Sequence, residues 1–235
     1  MIDMAGGWGI WINGSEYVNV HDLKLYCCPD FPNSDGIHIN CSRDVFVSDC
    51  SVHTGDDSII VRANTNTLGA DIPCENIIIK NCVLSSHCQA IRIGWIGDGL
   101  LRNCVFSDIV ITDSRDAIVV ELPGVKKIIP DFGKNTTRIE RLSFNNIVID
   151  NTCRYPVNIE VGDSELVKCD YVRNIQFNNI NSRTGYFPII KGRSGNYIED
   201  VSFTNCRFDI EKKDIEGFAP QFVKNLKTDC VWNRN

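Results

Sequence analysis

One short pattern returns along the whole chain and limits what the chain can fold into. It reads apolar, polar, Asn or Asp, apolar. It places an amide or carboxylate at Asp22, Asp49, Asn81, Asp108, Asn146, Asn179, Asn205 and Asn225. The separation of neighbouring anchors varies between 20 residues (205 to 225) and 38 residues (108 to 146). Such uneven spacing excludes an exact repeat and indicates a coil whose strands stay in register while its turns vary in length.

Each repeat also carries a second short segment that is rich in Ile and Val. These segments are DGIHIN from Asp35, DSIIVR from Asp57, QAIRIG from Gln89, DAIVVE from Asp116, YPVNIE from Tyr155 and FPIIKG from Phe187. Gly, Asn, Asp and Pro bound them, as they bound strands, and no segment shows a sustained helical period with caps. The sequence therefore predicts an all-β chain, a single-stranded right-handed parallel β-helix in which residues 1–235 form one domain.

Stacking of the coils assigns a direction to each side chain. Coils lie about 4.8 Å apart, so equivalent residues form columns, and alternate residues of a strand face opposite sides. An Asn or Asp column at a turn satisfies backbone groups, so the anchors are interpreted as structural. In the second segment, the first outward column is predicted to hold His38, Ile60, Arg92, Val119, Asn158 and Ile190. The second is predicted to hold Asn40, Arg62, Gly94, Glu121, Glu160 and Gly192.

Composition and charge limit the classes of partner that the protein is expected to bind. A net charge of −6 weighs against a nucleic-acid partner, since such proteins carry basic surfaces. The sequence has no apolar run of about 18 residues, so no membrane partner is expected. The first residues lack the features of a signal peptide, which leaves either an intracellular protein or a missing upstream segment.

The 12 cysteines form no Cys-x-x-Cys pair and recur inside apolar runs. They are predicted to be buried thiols, with disulfides as the alternative.

Three aspartates depart from this structural pattern. Asp35 opens one second segment, and the pair Asp56 and Asp57 opens the next, 21 residues after Asp35 (35 to 56). That separation is about one coil, so the three carboxylates should be neighbours. They cannot all ionise cheaply, and at least one pKa should rise. This favours a catalytic site over turn chemistry. A Ca²⁺ or Mg²⁺ site is the rival interpretation, and the nearby Arg62 and Arg92 weigh against it.

Two further side chains are predicted to lie at this site. His87 precedes the next second segment, one coil on, and should lie beside the aspartate pair, where it can hydrogen-bond a carboxylate. Trp95 follows the same segment and could stack on a sugar ring. Either residue could instead serve packing or solvation alone.

Two motifs carry a resemblance to a known family. Asn33-Ser34-Asp35-Gly36 and Gly55-Asp56-Asp57 resemble the NTDG and GDD motifs of glycoside hydrolase family 28, the polygalacturonase family. Its members are pectin-lyase-like right-handed β-helices that hydrolyse pectic polysaccharides with inversion. The resemblance implies that Asp56 protonates the leaving oxygen and that Asp35 and Asp57 activate water. His87 would match the His of the family's Gly-His-Gly motif. A polysaccharide or oligosaccharide substrate is implied, without a metal or other cofactor.

The substrate side departs from the family pattern. The family's Arg-Ile-Lys motif should fall at residues 119–121, but Glu121 ends that segment and would repel a galacturonate carboxylate. We expect Arg92, assisted by Arg62, to bind the carboxylate instead, because Arg pairs with a carboxylate bidentately. His38, Trp95 and Glu121 are expected to complete the substrate-binding surface. Otherwise the substrate is a different or neutral sugar.

The ends and loops yield further expectations. Relatives carry several coils before the segment at Asn33, so this chain is expected to lack N-terminal coils or to have that end covered by a partner. The family implies an extracellular or periplasmic protein. The loop from Val125 to Thr137 is expected to wall one side of a cleft.

A non-catalytic glycan-binding or structural β-helix remains the alternative to a hydrolase, and a polysaccharide lyase is a weaker third alternative.

Overall fold

The computed structural model describes residues 2–4, 7–66, 68–125 and 133–234, and their regular structure consists of β-strands. The strands are β1 (Ile2–Met4), β2 (Ile10–Asn13), β3 (Glu16–His21), β4 (Lys24–Cys27), β5 (Ile37–Asn40), β6 (Arg43–Ser48), β7 (Ser51–Thr54), β8 (Ile59–Arg62), β9 (Cys74–Ser86), β10 (Gln89–Ile93), β11 (Leu100–Thr112), β12 (Asp116–Leu122), β13 (Thr137–Thr152), β14 (Val157–Val161), β15 (Cys169–Thr184), β16 (Ile189–Lys191), β17 (Ile198–Ile210) and β18 (Val223–Arg234). Within these residues, no helix has the length and apolar character needed to cross a bilayer.

Two parallel sheets wind along the chain. Sheet B runs β2-β5-β8-β10-β12-β14-β16, so each strand pairs with the equivalent strand one coil earlier and one coil later. Sheet A contains the remaining strands, with β1, β4, β7, β9, β11, β13, β15, β17 and β18 in one path and β3 and β6 paired beside it. The fold is therefore the right-handed parallel β-helix that the two segments per repeat predict.

The predicted anchors lie at left-handed turns. All eight, Asp22 through Asn225, have φ between 52° and 57°, a conformation that Asn and Asp tolerate better than most residues. Their side chains also connect the coils. Asn146 donates to Asp108 at 3.1 Å, and Asn179 donates to Asn146 at 2.9 Å. The eighth anchor was misplaced: Asn225 stacks on Asp200 at 2.9 Å, in a separate turn column.

The core is a continuous apolar interior between the sheets. Eight of the twelve cysteines are buried there, and all twelve lie within the described residues as free thiols. The prediction of buried thiols is correct for those eight. A column of phenylalanines crosses four coils through Phe106, Phe144, Phe177 and Phe203, with ring centroids 4.7–4.8 Å apart. The ring spacing matches the distance between neighbouring strands, so strand register and core packing support each other.

Replacing Phe144 with alanine should destabilise the fold by about 3–5 kcal/mol, because it removes a fully buried ring between two stacked neighbours. Equilibrium urea unfolding measures this difference. Phe222→Ala is the matched control, since Phe222 is 45% exposed and its loss should change stability by less than about 1 kcal/mol. Equal effects for the two variants would show that the stack does not stabilise the helix.

The predicted outward column of residues on sheet B is correct over most of the sheet. The register pairs His38 with Ile60, Ile60 with Arg92, Arg92 with Val119 and Val119 with Asn158. The last coil differs: Asn158 pairs with Ile189 and Glu160 with Lys191. Ile190 is buried and Gly192 lies beyond the strand, so the predicted column positions at 190 and 192 were wrong by one residue. The predicted cleft wall between Val125 and Thr137 falls largely on residues 126–132, which lie outside the described residues.

Candidate active site

A pocket of about 360 Å³ opens on the outward face of sheet B. Its lining residues are Trp8, Asn33, Asp35, His38, Asp56, Asp57, Ile60, Arg62, Cys88, Arg92 and Trp95. The strands β5, β8 and β10 supply the floor, and the segments that lead into them supply the aspartates. The structure therefore brings the three predicted aspartates together with four of the other predicted residues, His38, Arg62, Arg92 and Trp95.

Glycines allow the coils to approach closely at this point. A Cβ at Gly36 would collide with the carbonyl oxygen of Ser58 and with the Val52 side chain. A Cβ at Gly55 would lie 2.5 Å from the Ser34 hydroxyl and from the Pro29 carbonyl. The glycines next to the aspartates are thus required by the contact between neighbouring coils. They hold Asp35 close to the Asp56–Asp57 pair.

Asp35 is the most unusual carboxyl of the pocket. It is 7% exposed, and its Oδ1 has no hydrogen-bond partner within the described structure. Burial raises the pKa of Asp35 to about 8, and the charges of Asp56 and Asp57 act in the same direction. Asp35 therefore carries a proton at neutral pH. The expectation that at least one of the three carboxyls has a raised pKa holds for Asp35, and the pKa of Asp57 is raised as well.

Asp57 is buried between a cation and a backbone donor. Arg92 Nη1 donates to its Oδ2 at 3.1 Å, and the Gln89 backbone N–H donates to its Oδ1 at 3.1 Å. Burial raises the pKa of Asp57, while the Arg92 charge opposes that rise. Asp57 is therefore the carboxyl of the pocket that is held by a direct ion pair.

Asp56 lies between them in sequence and is more exposed. Its Oδ1 accepts the backbone N–H of Asp57 at 3.0 Å, and its carbonyl accepts the hydroxyl of Ser86 at 2.7 Å. The backbone of Asp56 is thus fixed, while its side chain lines the pocket and is partly exposed. This placement makes Asp56 accessible to a bound molecule.

The two arginines are held differently. Arg62 donates from Nε and Nη2 to the fully buried carboxylate of Asp98, at 2.7 and 2.8 Å. Arg92 stacks on Trp95, with its guanidinium carbon 3.8 Å from the ring centroid. Arg62 is thus bound in a bidentate ion pair, which leaves Arg92 as the arginine most directly coupled to the aspartates.

His38 lies on the floor between Asp35 and the aromatic residues. It is buried, its Nδ1 is 3.9 Å from Asp35 Oδ2, and its ring lies 4.3 Å from that of Trp8. Burial lowers the pKa of His38 to about 3, and the charges of Arg62 and Arg92 lower it as well. The imidazole is therefore neutral at any ordinary pH. It can donate or accept a hydrogen bond, but it cannot form a salt bridge.

The structure corrects the placement of His87. Its side chain is exposed and is absent from the lining of the pocket, whereas Gln89 and Cys88 lie beside Asp57 and Asp56. Glu121 is also absent from that lining. Burial raises its pKa, and Arg92 lies close enough to lower it. The sequence reasoning missed Trp8, Cys88 and Asp98 as parts of the site.

One group of side chains could hold a metal ion. Ligand atoms of Asp56, Asp57 and Cys88 lie within 4.8 Å of one another. Two features oppose a cation there: Arg92 already pairs with Asp57, and burial raises the pKa of the Cys88 thiol to about 12. The donor set therefore fits acid–base chemistry better than metal binding.

Comparison with known protein families identifies the family of the chain. The model of the glycosyl hydrolases family 28 matches residues 8–216. The chain belongs to this family. The match includes both aspartate motifs, the whole of the pocket lining and most of the solenoid.

Curated relatives of this family member include plant proteins. A probable polygalacturonase of Arabidopsis thaliana is 23% identical over 204 residues, which cover 75% of this chain and 44% of the relative. The polygalacturonase QRT2 of the same plant is 24% identical over 188 residues, covering 69% of this chain and 42% of the relative. The chain thus spans less than half the length of these relatives.

Solved structures of polygalacturonases share the architecture. A hyperthermoactive exopolygalacturonase from Thermotoga maritima superposes with a TM-score of 0.77 at 18% identity, covering 97% of this chain and 50% of that protein. An endopolygalacturonase from Stereum purpureum, solved with two galacturonates, gives a TM-score of 0.51 at 15% identity, covering 99% of this chain and 69% of that protein. These superpositions support the β-helix fold.

Proposed function

We propose that the protein hydrolyses glycosidic bonds of a pectic polysaccharide or oligosaccharide. The observation that carries this proposal is the convergence of Asp35, Asp56 and Asp57 in one pocket of a family 28 fold. Glycoside hydrolysis needs one carboxylic acid to protonate the leaving oxygen and one carboxylate to activate water. Relatives named as polygalacturonases, and a neighbour solved with galacturonate, support a pectic substrate. The family also supports an extracellular location.

The three carboxyls can divide the work. Asp56, the more exposed, protonates the leaving oxygen of the bound glycan. Asp57 takes a proton from the attacking water, and its ion pair with Arg92 supports the ionised form. Asp35 carries a proton at neutral pH, so it orients the water rather than accepting its proton. This differs from the expectation that Asp35 and Asp57 act alike.

The product of the reaction has a stereochemical outcome that can be measured. Family membership supports inversion. Neighbouring coils are about 4.8 Å apart, whereas the carboxyl groups of inverting enzymes are separated by about 6.5–9.5 Å, so coil spacing does not by itself select inversion. Proton NMR of the first anomer formed would distinguish inversion from retention.

The test of the proposed function is release of reducing ends from pectic substrates. Purified protein is incubated with polygalacturonate, with a methyl-esterified pectin and with a rhamnose-containing pectic backbone. Hydrolysis produces reducing ends without new ultraviolet absorption, whereas a lyase produces unsaturated, absorbing products. No reducing ends from any substrate would contradict the proposal. Binding without cleavage would favour the non-catalytic alternative.

Arg92 is proposed to bind an acidic group of the substrate. Arg92→Ala should raise KM for acidic oligosaccharides about tenfold or more, since a tenfold change corresponds to about 1.4 kcal/mol of lost interaction. Steady-state kinetics on oligogalacturonides measures this change. Arg92→Lys is the control, because it keeps the charge next to Asp57 and loses the planar fork. An unchanged KM in Arg92→Ala would show that this residue only supports Asp57.

A further inference from the structure

Two exposed tryptophans lie together at the N-terminal side of the pocket. Trp11 is 48% exposed and Trp8 is 41% exposed. Their rings meet edge to face with centroids 5.3 Å apart, and Trp8 also contacts the His38 ring at 4.3 Å. Large aromatic surfaces left in water next to one another are unfavourable unless something covers them.

The strand register places this pair one coil before the floor of the pocket, on the same outward face of sheet B. Trp11 in β2 pairs with His38 in β5, so both face outward from sheet B in the same column. Trp8 itself lines the pocket. The aromatic surface is therefore continuous with the acid cluster and about 4.8 Å further along the solenoid axis.

We propose that Trp8 and Trp11 form a stacking subsite for one pyranose ring of the glycan, on the side of the pocket opposite Arg92 and Val119. This inference rests on the proposed function, since it takes the ligand to be the same glycan. The apolar face of a sugar ring packs on an indole, and the indole N–H can meet a ring hydroxyl. Asn13, two residues after Trp11, is partly exposed in the second outward column; its Oδ1 accepts a hydrogen bond from Asn40 Nδ2 at 2.8 Å, and its own amide N–H groups face the same surface as donors for a sugar hydroxyl.

Trp95 is less suited to this role. Arg92 covers its ring at 3.8 Å, and Arg62 lies 5.9 Å from the ring centroid. Trp95 therefore packs against the arginines that surround the aspartates. The expectation that a tryptophan stacks on the sugar passes from Trp95 to Trp8 and Trp11.

The experiment measures binding in a protein that does not cleave its ligand. In an Asp56→Asn background, isothermal titration calorimetry gives the Kd for short and for long oligogalacturonides and for a rhamnose-containing pectic oligosaccharide. Trp11→Ala and Trp8→Ala should each weaken binding of the long oligomer about tenfold, with a smaller effect on the shortest ligand. Trp11→Phe should retain most of the affinity. Tyr17→Ala is the matched control, because Tyr17 is 75% exposed at the same end but belongs to sheet A.

Each result has a distinct meaning. Equal affinity of the tryptophan variants and the parent overturns the subsite while leaving hydrolysis possible. Tryptophan-dependent binding by a wild-type protein that releases no reducing ends supports the subsite and contradicts the proposed function. Absence of binding by the parent contradicts both. If Trp11→Ala converts a dimer into a monomer in light scattering without changing Kd, the indoles cover a protein contact and the subsite is wrong.

Discussion

Replacing Asp56 with asparagine should lower kcat on a pectic substrate by on the order of 10²–10⁴-fold, the contribution of a positioned general acid. The amide has no acidic proton to give to the leaving oxygen. The fold should be unaffected, since Asn keeps an Oδ1 that can accept the backbone N–H of Asp57. KM should change little, because the loss is confined to the transition state. Initial rates of reducing-end release, with calorimetric Tm as a check on folding, measure both quantities.

The matched control for this variant is Glu121→Gln. It also exchanges a carboxyl for an amide on the outward face of sheet B, but Glu121 lies outside the pocket lining. Its kcat should stay close to that of the parent. If Asp56→Asn retains more than about a tenth of the wild-type kcat, a different residue protonates the leaving group. The protonated Asp35 would then be the next residue to test.

Much of the fold follows from local sequence, since each coil repeats the same two segments and the same left-handed turn. The three aspartates were predictable for the same reason. Asp35 and Asp57 each stand two residues before the first inward Ile of their strand, and Asp56 directly precedes Asp57. Counting back from Ile91 in that way gives Gln89, not His87, as the neighbour of Asp57. The placement of His87 rested on its position just before the next segment, without a residue-by-residue count, and the strand register gives Gln89 instead.

Other features depend on contacts that no local pattern encodes. Arg62 and Asp98 form an ion pair across 36 residues and a loop. The sequence could therefore not show that the charge of this arginine is already paired. In the last coil, Ile189 and Ile190 are both apolar, and a period of two cannot choose which one faces inward. Trp11 could have been found, since Gly9-Ile10-Trp11-Ile12-Asn13 repeats the spacing of Gly36-Ile37-His38-Ile39-Asn40.

Replacing Asp35 with asparagine should stabilise the protein at alkaline pH. The pKa of Asp35 is raised from 3.8 to about 8 in the folded state. Between these values the folded state holds a proton that the unfolded state has lost, so wild-type stability falls as pH rises through this window. Asn resembles the protonated acid in shape and charge and avoids the loss. At pH 9 the variant should be more stable by at most about 6 kcal/mol, since the pKa of Asp35 is raised from 3.8 to about 8 and one pKa unit is worth about 1.4 kcal/mol.

Urea unfolding of both proteins at pH 4, 6, 8 and 9 tests this expectation, and pH 4 serves as the internal control. There Asp35 is neutral in the folded state and about half protonated in the unfolded state, so the two stabilities should nearly coincide and then diverge up to about pH 8. Curves that stay parallel from pH 4 to pH 9 would show that Asp35 ionises as an ordinary surface carboxyl does. A stabilised variant with reduced kcat would instead show that the fold tolerates a crowded carboxyl because the reaction needs it.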